Sequence, residues 1–344
     1  MEKNKVLIIR FSSFGDIIQC STVIESITLR YKNGLNNASE LHWVTRSDFE
    51  SIVRLNQNLD KVWTLNKKLG FFGLIKLSLE LRNQNYSHIY DAHNNLRSKL
   101  LVLFLMTKFH RPSLITRSKF RVKRFLLFTL RINKFPKPFI GINSFLKPLG
   151  KWNISSASNS KLVKWKFSNE IDSKIDNLKT SLIGSSEMIV LVPSAAWEMK
   201  RWPVAHWSEL IRLLPEKKFI ILGGSEDLFC EDLANIDSTR VFNLAGRLTL
   251  VESCSLVSKA SLVISADTGL LHVADVLGVK AISLMGPTAF GFTKSQNIKT
   301  IELDLACRPC SKDGRGSCSQ KTYQLCMVNI TPNYVAQAVS EFSS

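Results

Sequence analysis

Three observations make this sequence predict an α/β protein built from two doubly wound parallel sheets. Residues 5–10 (KVLIIR) form a short β-rich run that passes through Phe11-Ser-Ser-Phe-Gly-Asp16 into a helical pattern of Ile17, Ile18, Val23, Ile24 and Ile27. The same β-loop-α rhythm restarts at residues 188–192 (MIVLV), and 344 residues are enough for two domains, each with its own core. Strands alternating with helices in this way imply a parallel sheet covered by helices.

Further strands are predicted at 41–44, 62–65 and 88–90, separated by helices at 49–55 and 74–81, and 96–108 is apolar and helical in composition. The basic and aromatic segment that follows, to about residue 149, holds Pro136, Pro138 and Pro148, which forbid one long helix. Residues 155–160 (SSASNS) are polar and low in complexity, and 168–185 shows little periodicity. The domain linker is therefore placed between 155 and 185, with an N-terminal domain over 1–170 and a C-terminal one over 180–330. Strands are predicted in the latter at 219–222, 241–244, 261–265 and 281–284. Thr331-Pro332, a cap followed by proline at the first helical position, opens a closing helix within 331–344.

Apolar content of 45% and charged content of 22% are globular values, and no apolar run approaches the ~20 residues of a membrane-spanning helix. The N-terminal apolar run ends at Arg10 without a small-residue cleavage site, so no secretory signal is read and the cytoplasm is the default compartment. Seven cysteines do not resemble a secreted disulfide framework. The net charge of +18 is uneven: 17 Lys or Arg lie between Asp91 and Glu170 with no acid among them, leaving the remainder near neutral. Phe120, Phe125, Phe128, Phe135, Phe139 and Phe145 are interleaved with these cations. That mixture suits an anionic amphiphile or a membrane surface better than nucleic acid; a solvated basic face is the alternative.

Ligands of open parallel sheets sit at the carboxyl ends of the strands, where the polar residues of this chain collect. In 265–279 (SADTGLLHVADVLGV), Asp267, Thr268 and Gly269 form the turn between a strand and a helix. Free backbone N–H groups and the helix dipole at such a turn favour an anion by about 1 to 2 kcal/mol, which makes it a candidate diphosphate cradle; a plain helix cap is the alternative. Lys200, in PSAAWEMKRWP at 193–203, is a candidate counter-charge or else a surface lysine ahead of a helix opened by Pro203. Glu226, in the GGSE that follows the next strand, could accept ribose hydroxyls or simply sit in the first turn of a helix. His93, as a lone histidine, reads as structural. Cys307, Cys310, Cys318 and Cys326 (C-x2-C-x7-C-x7-C) leave open structural zinc, reduced thiols and a reversible disulfide, whereas Cys20, Cys230 and Cys254 read as core.

Taken in order, RFSSFGDIIQCSTVI at 10–24, YDAHNNLRS at 90–98, KRWPVAHW at 200–207, LGGSED at 222–227, SADTGLLHVADVLG at 265–278 and LMGPT at 284–288 resemble glycosyltransferase family 9, the bacterial ADP-heptose:lipopolysaccharide heptosyltransferases. The resemblance covers nearly the whole chain. It implies a GT-B fold of two Rossmann-like domains facing a cleft, and inverting transfer with no metal or other cofactor. By the same resemblance Asp16 is the general base and Lys200 contacts the diphosphate. Ser194, Glu226, Leu248, Asp267, Thr268, Gly269 and His272 line the donor site, and Arg97 with the basic segment (Arg117, Lys119 and Arg121) faces the acceptor. The implied partners are ADP-heptose, the lipopolysaccharide core and the inner face of the cytoplasmic membrane, with no nucleic acid. One departure is that Ala195 and Ala196 stand where several relatives carry hydroxyl residues. Two rival readings remain: a family 9 transferase with another nucleotide sugar, and a non-catalytic binder of anionic lipid or nucleic acid. Against the second stands the co-occurrence of Asp16, Lys200, Glu226 and Asp267. A nicotinamide dehydrogenase is disfavoured because no G-x-G-x-x-G follows a predicted strand.

Overall fold

A computed structural model describes residues 4–31, 39–107, 111–155 and 162–343; Lys108, Lys161 and residues 156–160 of the expected linker lie outside them. The chain divides into two units, Met1–Phe120 with Ile142–Lys166, and Arg121–Gly141 with Phe167–Ser344.

In the first unit, the apolar run at the start forms β1 (Lys5–Ile9), whose four last residues are buried. It leads into α1 (Phe14–Tyr31), buried along most of its length. Then follow β2 (Glu40–Arg46), α2 (Glu50–Val53), β3 (Lys61–Leu65), α3 (Gly70–Arg82), β4 (His88–Asp91), α4 (Leu96–Leu105) and β5 (Ser113–Thr116). All pairings are parallel, in the order β3-β2-β1-β4-β5. A strand covered on both faces needs no polar alternation, which is why β1 reads as a continuous apolar run.

Residues 121–141 belong to the second unit, although a boundary near 170 assigns them to the first. They form α5 (Arg121–Thr129) and a loop; α6 (Gly141–Leu146) then leads back to the first unit. The chain passes from the first unit to the second at Lys166–Phe167, within the 155–185 window expected to hold the linker, and the weakly periodic part of that window, 168–185, is mostly helix, α7 (Asn169–Ile183). Ser168 caps it through the Ile171 N–H, and Glu170 and Asp172 favour its first turn. Its buried side chains are only Ile175 and Ile183, and it is joined to α10 (Leu250–Ser258) by Lys174–Glu252 and Lys259–Asp176 ion pairs, so its periodicity is faint.

The rest of the unit runs β6 (Met188–Val192), α8 (Val204–Leu213), β7 (Lys218–Ile221), α9 (Phe229–Ala234), β8 (Val241–Asn243), α10, β9 (Leu262–Ala266), α11 (Gly269–Leu277), β10 (Ala281–Met285), β11 (Ile298–Glu302), α12 (Leu325–Val328) and α13 (Pro332–Ser343). The sheet is parallel, in the order β11-β10-β9-β6-β7-β8. Trp202 and Trp207 are fully buried and meet edge-on at 5.0 Å, and the Trp202 indole donates to the Ile330 carbonyl (2.8 Å). Truncating either to alanine should cost about 3 to 5 kcal/mol.

The expected interfacial phenylalanines divide differently. Phe145 is buried in the first unit. Phe128, Phe135 and Phe139 gather around Phe290 at 5.1 to 6.0 Å in the second, with Arg124 over the Phe290 ring. Of the six, Phe125 is the well-exposed one, on α5 beside exposed Val122. Among the described residues no helix is long and apolar enough to cross a membrane.

In each sheet the first strand has neighbours reached by opposite crossovers: β1 lies between β2 and β4, and β6 between β7 and β9. At such a switch point the loops leaving the carboxyl ends diverge and leave room for a ligand.

Candidate active site

In the first unit, Asp16 stands in the first turn of α1, directly after the loop from β1. Ser13 Oγ donates to its carboxylate (3.0 Å), Arg10 Nη2 pairs with it at 2.5 Å, and Arg117 Nη1 lies at 3.6 Å. Arg10 is buried at the end of β1 and also donates to the Ala92 carbonyl (2.9 Å). Arg117, just past β5, donates twice to Ser144 Oγ (3.0 and 2.8 Å) and stacks 3.7 Å from the Phe145 ring centre. Burial lowers the Arg117 pKa, with Asp16 opposing. The carboxylate thus serves the helix N-terminus and two guanidiniums at once, and its side chain remains 37% exposed.

The adjacent loop after β4 is organised by Asp91, which accepts from the His93 N–H (3.0 Å), the Asn94 N–H (2.7 Å) and Ser98 Oγ (2.9 Å). Burial raises the Asp91 pKa against these three donors. Burial, with the charges of Arg10 and Lys119, pushes the His93 imidazole down to about 3. A ring that stays neutral, within 3.4 Å of the Phe11 N–H, fits the structural reading of His93. Lys119 is half-buried; Arg97 is exposed on the first turn of α4; Arg121 is exposed on α5, in the second unit.

In the second unit, the loop after β6 ends in a helical turn, Glu198–Lys200. Lys200 Nζ reaches the Asp267 carboxylate at 3.0 Å, Thr288 Oγ1 donates to it at 2.9 Å, and His272 Nε2 lies at 3.6 Å. Burial pushes the Asp267 pKa up, but the Lys200 charge and the hydrogen bond and charge of His272 outweigh it and hold the carboxyl well below the usual range. Thr268 is the cap of α11: its hydroxyl accepts from the Leu271 N–H (3.2 Å) and meets Ser265 Oγ (2.8 Å). The capping alternative therefore holds for Thr268 and leaves Asp267 turned to Lys200. The N–H groups of Gly269 and Leu270, at the same helix end, have no intrahelical acceptor by construction.

Ser194, Glu226 and Leu248 follow β6, β7 and β8, so they share the carboxyl edge of this sheet; Glu226 is exposed, and Ser194 and Leu248 are half-buried. Asp227, beside Glu226, shapes its turn by accepting from the Gly224 N–H (2.7 Å).

All seven cysteines are free thiols. Burial pushes Cys20 and Cys230 up to about 12 and raises Cys254, as expected of core residues. Cys326 is pushed up to about 11, mainly by burial and partly by Cys310, Cys307 and Cys318. Among the described residues no group of three or more metal-ligating side chains is arranged to hold an ion.

Four contributors were assigned no role from the sequence, although Arg10, Asp91 and Thr288 lie within the motifs quoted above. Arg10 looks like the end of a strand and Asp91 like part of a loop, yet one holds Asp16 and the other orders the loop beside it. Thr288 and Gly291 lie downstream of β10; a Cβ at Gly291 would fall 2.2 Å from the Asp267 carboxyl carbon, so only glycine fits. The usable signal was their position just after strands.

The family model for glycosyltransferase family 9 (heptosyltransferase) matches residues 74–324. The chain is 25% identical over 358 residues to lipooligosaccharide heptosyltransferase 2 of Haemophilus influenzae, covering 98% of each chain. It is 27% identical over 173 residues to the enzyme of the same name from Campylobacter jejuni, spanning 54% of that protein; a second C. jejuni relative is likewise matched over about half its length (51%). Solved structures show the same fold: E. coli ADP-heptose lps heptosyltransferase II (TM-score 0.72, 19% identity, 98% of each chain) and a family 9 glycosyl transferase from Veillonella parvula (TM-score 0.78, 17% identity, 99% and 98%). The fold is GT-B, with two Rossmann-like units. A sheet switch point bearing Lys200 and Asp267, a second bearing Asp16, and a family match over more than two thirds of the sequence have one reading: the chain belongs to glycosyltransferase family 9.

Proposed function

We propose that this protein transfers a heptose from ADP-heptose to the lipopolysaccharide inner core, with inversion and without a metal. The observation that carries the reading is the convergence of the Lys200 ammonium and the N-terminus of α11 on the turn at Asp267. A lysine ammonium, held at 3.0 Å by the Asp267 carboxylate, and the free N–H groups of a helix end are donors that a departing diphosphate can engage. The donor sits on the second unit, with its ribose toward Glu226, its base toward Leu248, and its diphosphate and sugar toward Ser194, Lys200, Asp267, Thr268, Gly269 and His272. The acceptor sits on the first unit, near Arg97, Arg117 and Lys119.

The chemistry follows from those placements. As the acceptor oxygen bonds to the anomeric carbon, its proton passes to the Asp16 carboxylate. The bond from the anomeric carbon to the diphosphate oxygen breaks on the opposite face, and ADP departs with its charge received by Lys200 and the N–H groups of α11. The enzyme works in the cytoplasm at the inner face of the cytoplasmic membrane. Exposed Val122, Phe125, Leu130 and Ile132 beside Arg121, Lys123 and Arg131 suit such a surface.

Calorimetry with ADP, UDP, GDP and CMP sugars tests the donor. ADP-heptose should bind tightest and be consumed with a heptose-free core acceptor; preference for a UDP, GDP or CMP sugar would overturn the assignment.

A further inference from the structure

The cysteine-bearing loop passes directly against the turn that carries Lys200. It is anchored just past β10, where the Cys310 and Ser311 N–H groups both donate to the Pro287 carbonyl (3.1 Å each). Ser311 Oγ then closes a tight turn, accepting from the Gly314 N–H (2.9 Å) and donating to the Arg315 carbonyl (2.9 Å).

From this base the loop holds the Lys200 turn at three points. The Arg315 guanidinium lies 5.0 Å from the Trp197 ring centre, and Gln324 Nε2 donates to the Glu198 carbonyl at 2.5 Å. The third point is Gly314. Its φ of +92° is a conformation that side chains rarely adopt, and a Cβ there would fall 2.6 Å from Lys200 Cγ, 2.8 Å from Cδ and 3.1 Å from Trp197 Cβ. The atoms met belong to the middle of the lysine stem rather than its tip. A stem displaced there carries its ammonium away from Asp267, to which it now reaches at 3.0 Å.

We propose that residues 307–326 brace Lys200, with Gly314 as the positioning residue: its bare backbone lets the lysine stem lie flat and aims the ammonium at the turn before α11. A lysine ordered before the donor arrives has already lost its rotamer freedom, so less binding free energy is spent on ordering it. The inference rests on the reading of Lys200 as the diphosphate contact.

A double-mutant cycle on the full chain, read as ADP affinity by calorimetry and as transfer turnover, tests it. Gly314→Ala should weaken ADP binding by about tenfold in the wild type, since small misplacements of a positioned group are costly. In a Lys200→Ala background the same change should cost less than about twofold, because no stem remains to displace. An equal loss in both backgrounds, or no loss in the wild type, overturns the brace. If Lys200→Ala alone leaves affinity and turnover intact, the donor reading falls and the brace with it; an effect of Lys200→Ala with a silent Gly314→Ala removes the brace only. If Gly314→Ala does not fold, Arg315→Ala combined with Gln324→Ala releases the other two grips and is judged by the same criteria.

Discussion

Asp16 shows how one side chain answers two demands. Its place in the first turn of α1 stabilises that helix end whatever else it does, and the Arg10 and Arg117 guanidiniums hold its carboxylate in one orientation. Asn keeps the shape and can still accept at the helix N-terminus, but it cannot take a proton. Asp16→Asn should therefore retain the fold and ADP affinity while turnover falls by about 100-fold or more, checked by circular dichroism, calorimetry and a transfer assay. Near-normal turnover would remove Asp16 as the base. Candidates of this kind could be singled out because acid, lysine and glycine after a strand stand out in the sequence. Their holders were not: Arg10 and Thr288 matter through partners 6 and 21 residues away, a relation that only the folded switch point creates.

Among elements, strands buried on both faces were legible with edges right to a residue or two, as at 188–192, because an apolar run has no other explanation there. β5, only four residues with one buried, offered too short a pattern, and α7 was masked by a mainly polar surface held through ion pairs. α5 was obscured for the opposite reason: cations and aromatics alternate through it, and only Leu127 is buried. Its exposed face is the element predicted to meet the membrane. Each cation near an anionic surface contributes about 1 kcal/mol, and the exposed Val122 and Phe125 add apolar contact. Changing Arg121 and Lys123 to Gln with Phe125 to Ser should reduce binding to anionic vesicles in sedimentation, most strongly at low salt, and spare ADP affinity. Unchanged vesicle binding would place the contact elsewhere.

For the molecule as a whole, a buried histidine, His42, and a half-buried one, His93, set a dependence on pH. Burial pushes His42, hydrogen-bonded to the Tyr86 hydroxyl at 2.8 Å, down to about 4, and His93 down to about 3, from 6.5. Between those values the unfolded chain takes up protons that the folded one refuses. Their contribution is complete above about pH 6.5 and is lost as pH falls, toward 4 for His42 and toward 3 for His93. Urea midpoints should drop over that interval, and the gap between wild type and His42→Asn should narrow with it. A constant gap would mean that His42 titrates alike in both states.

The detour of residues 121–141 bears on how such enzymes are recombined. The second unit is discontinuous in the chain: its aromatic cluster joins Phe128, Phe135 and Phe139 to Phe290, across the excursion of residues 142–166 into the first unit. A chimera cut once, near residue 167, would unite rings from one parent with a Phe290 equivalent from another. Exchange of the second unit between relatives therefore needs a two-segment graft, in which 121–141 travels with everything after 166.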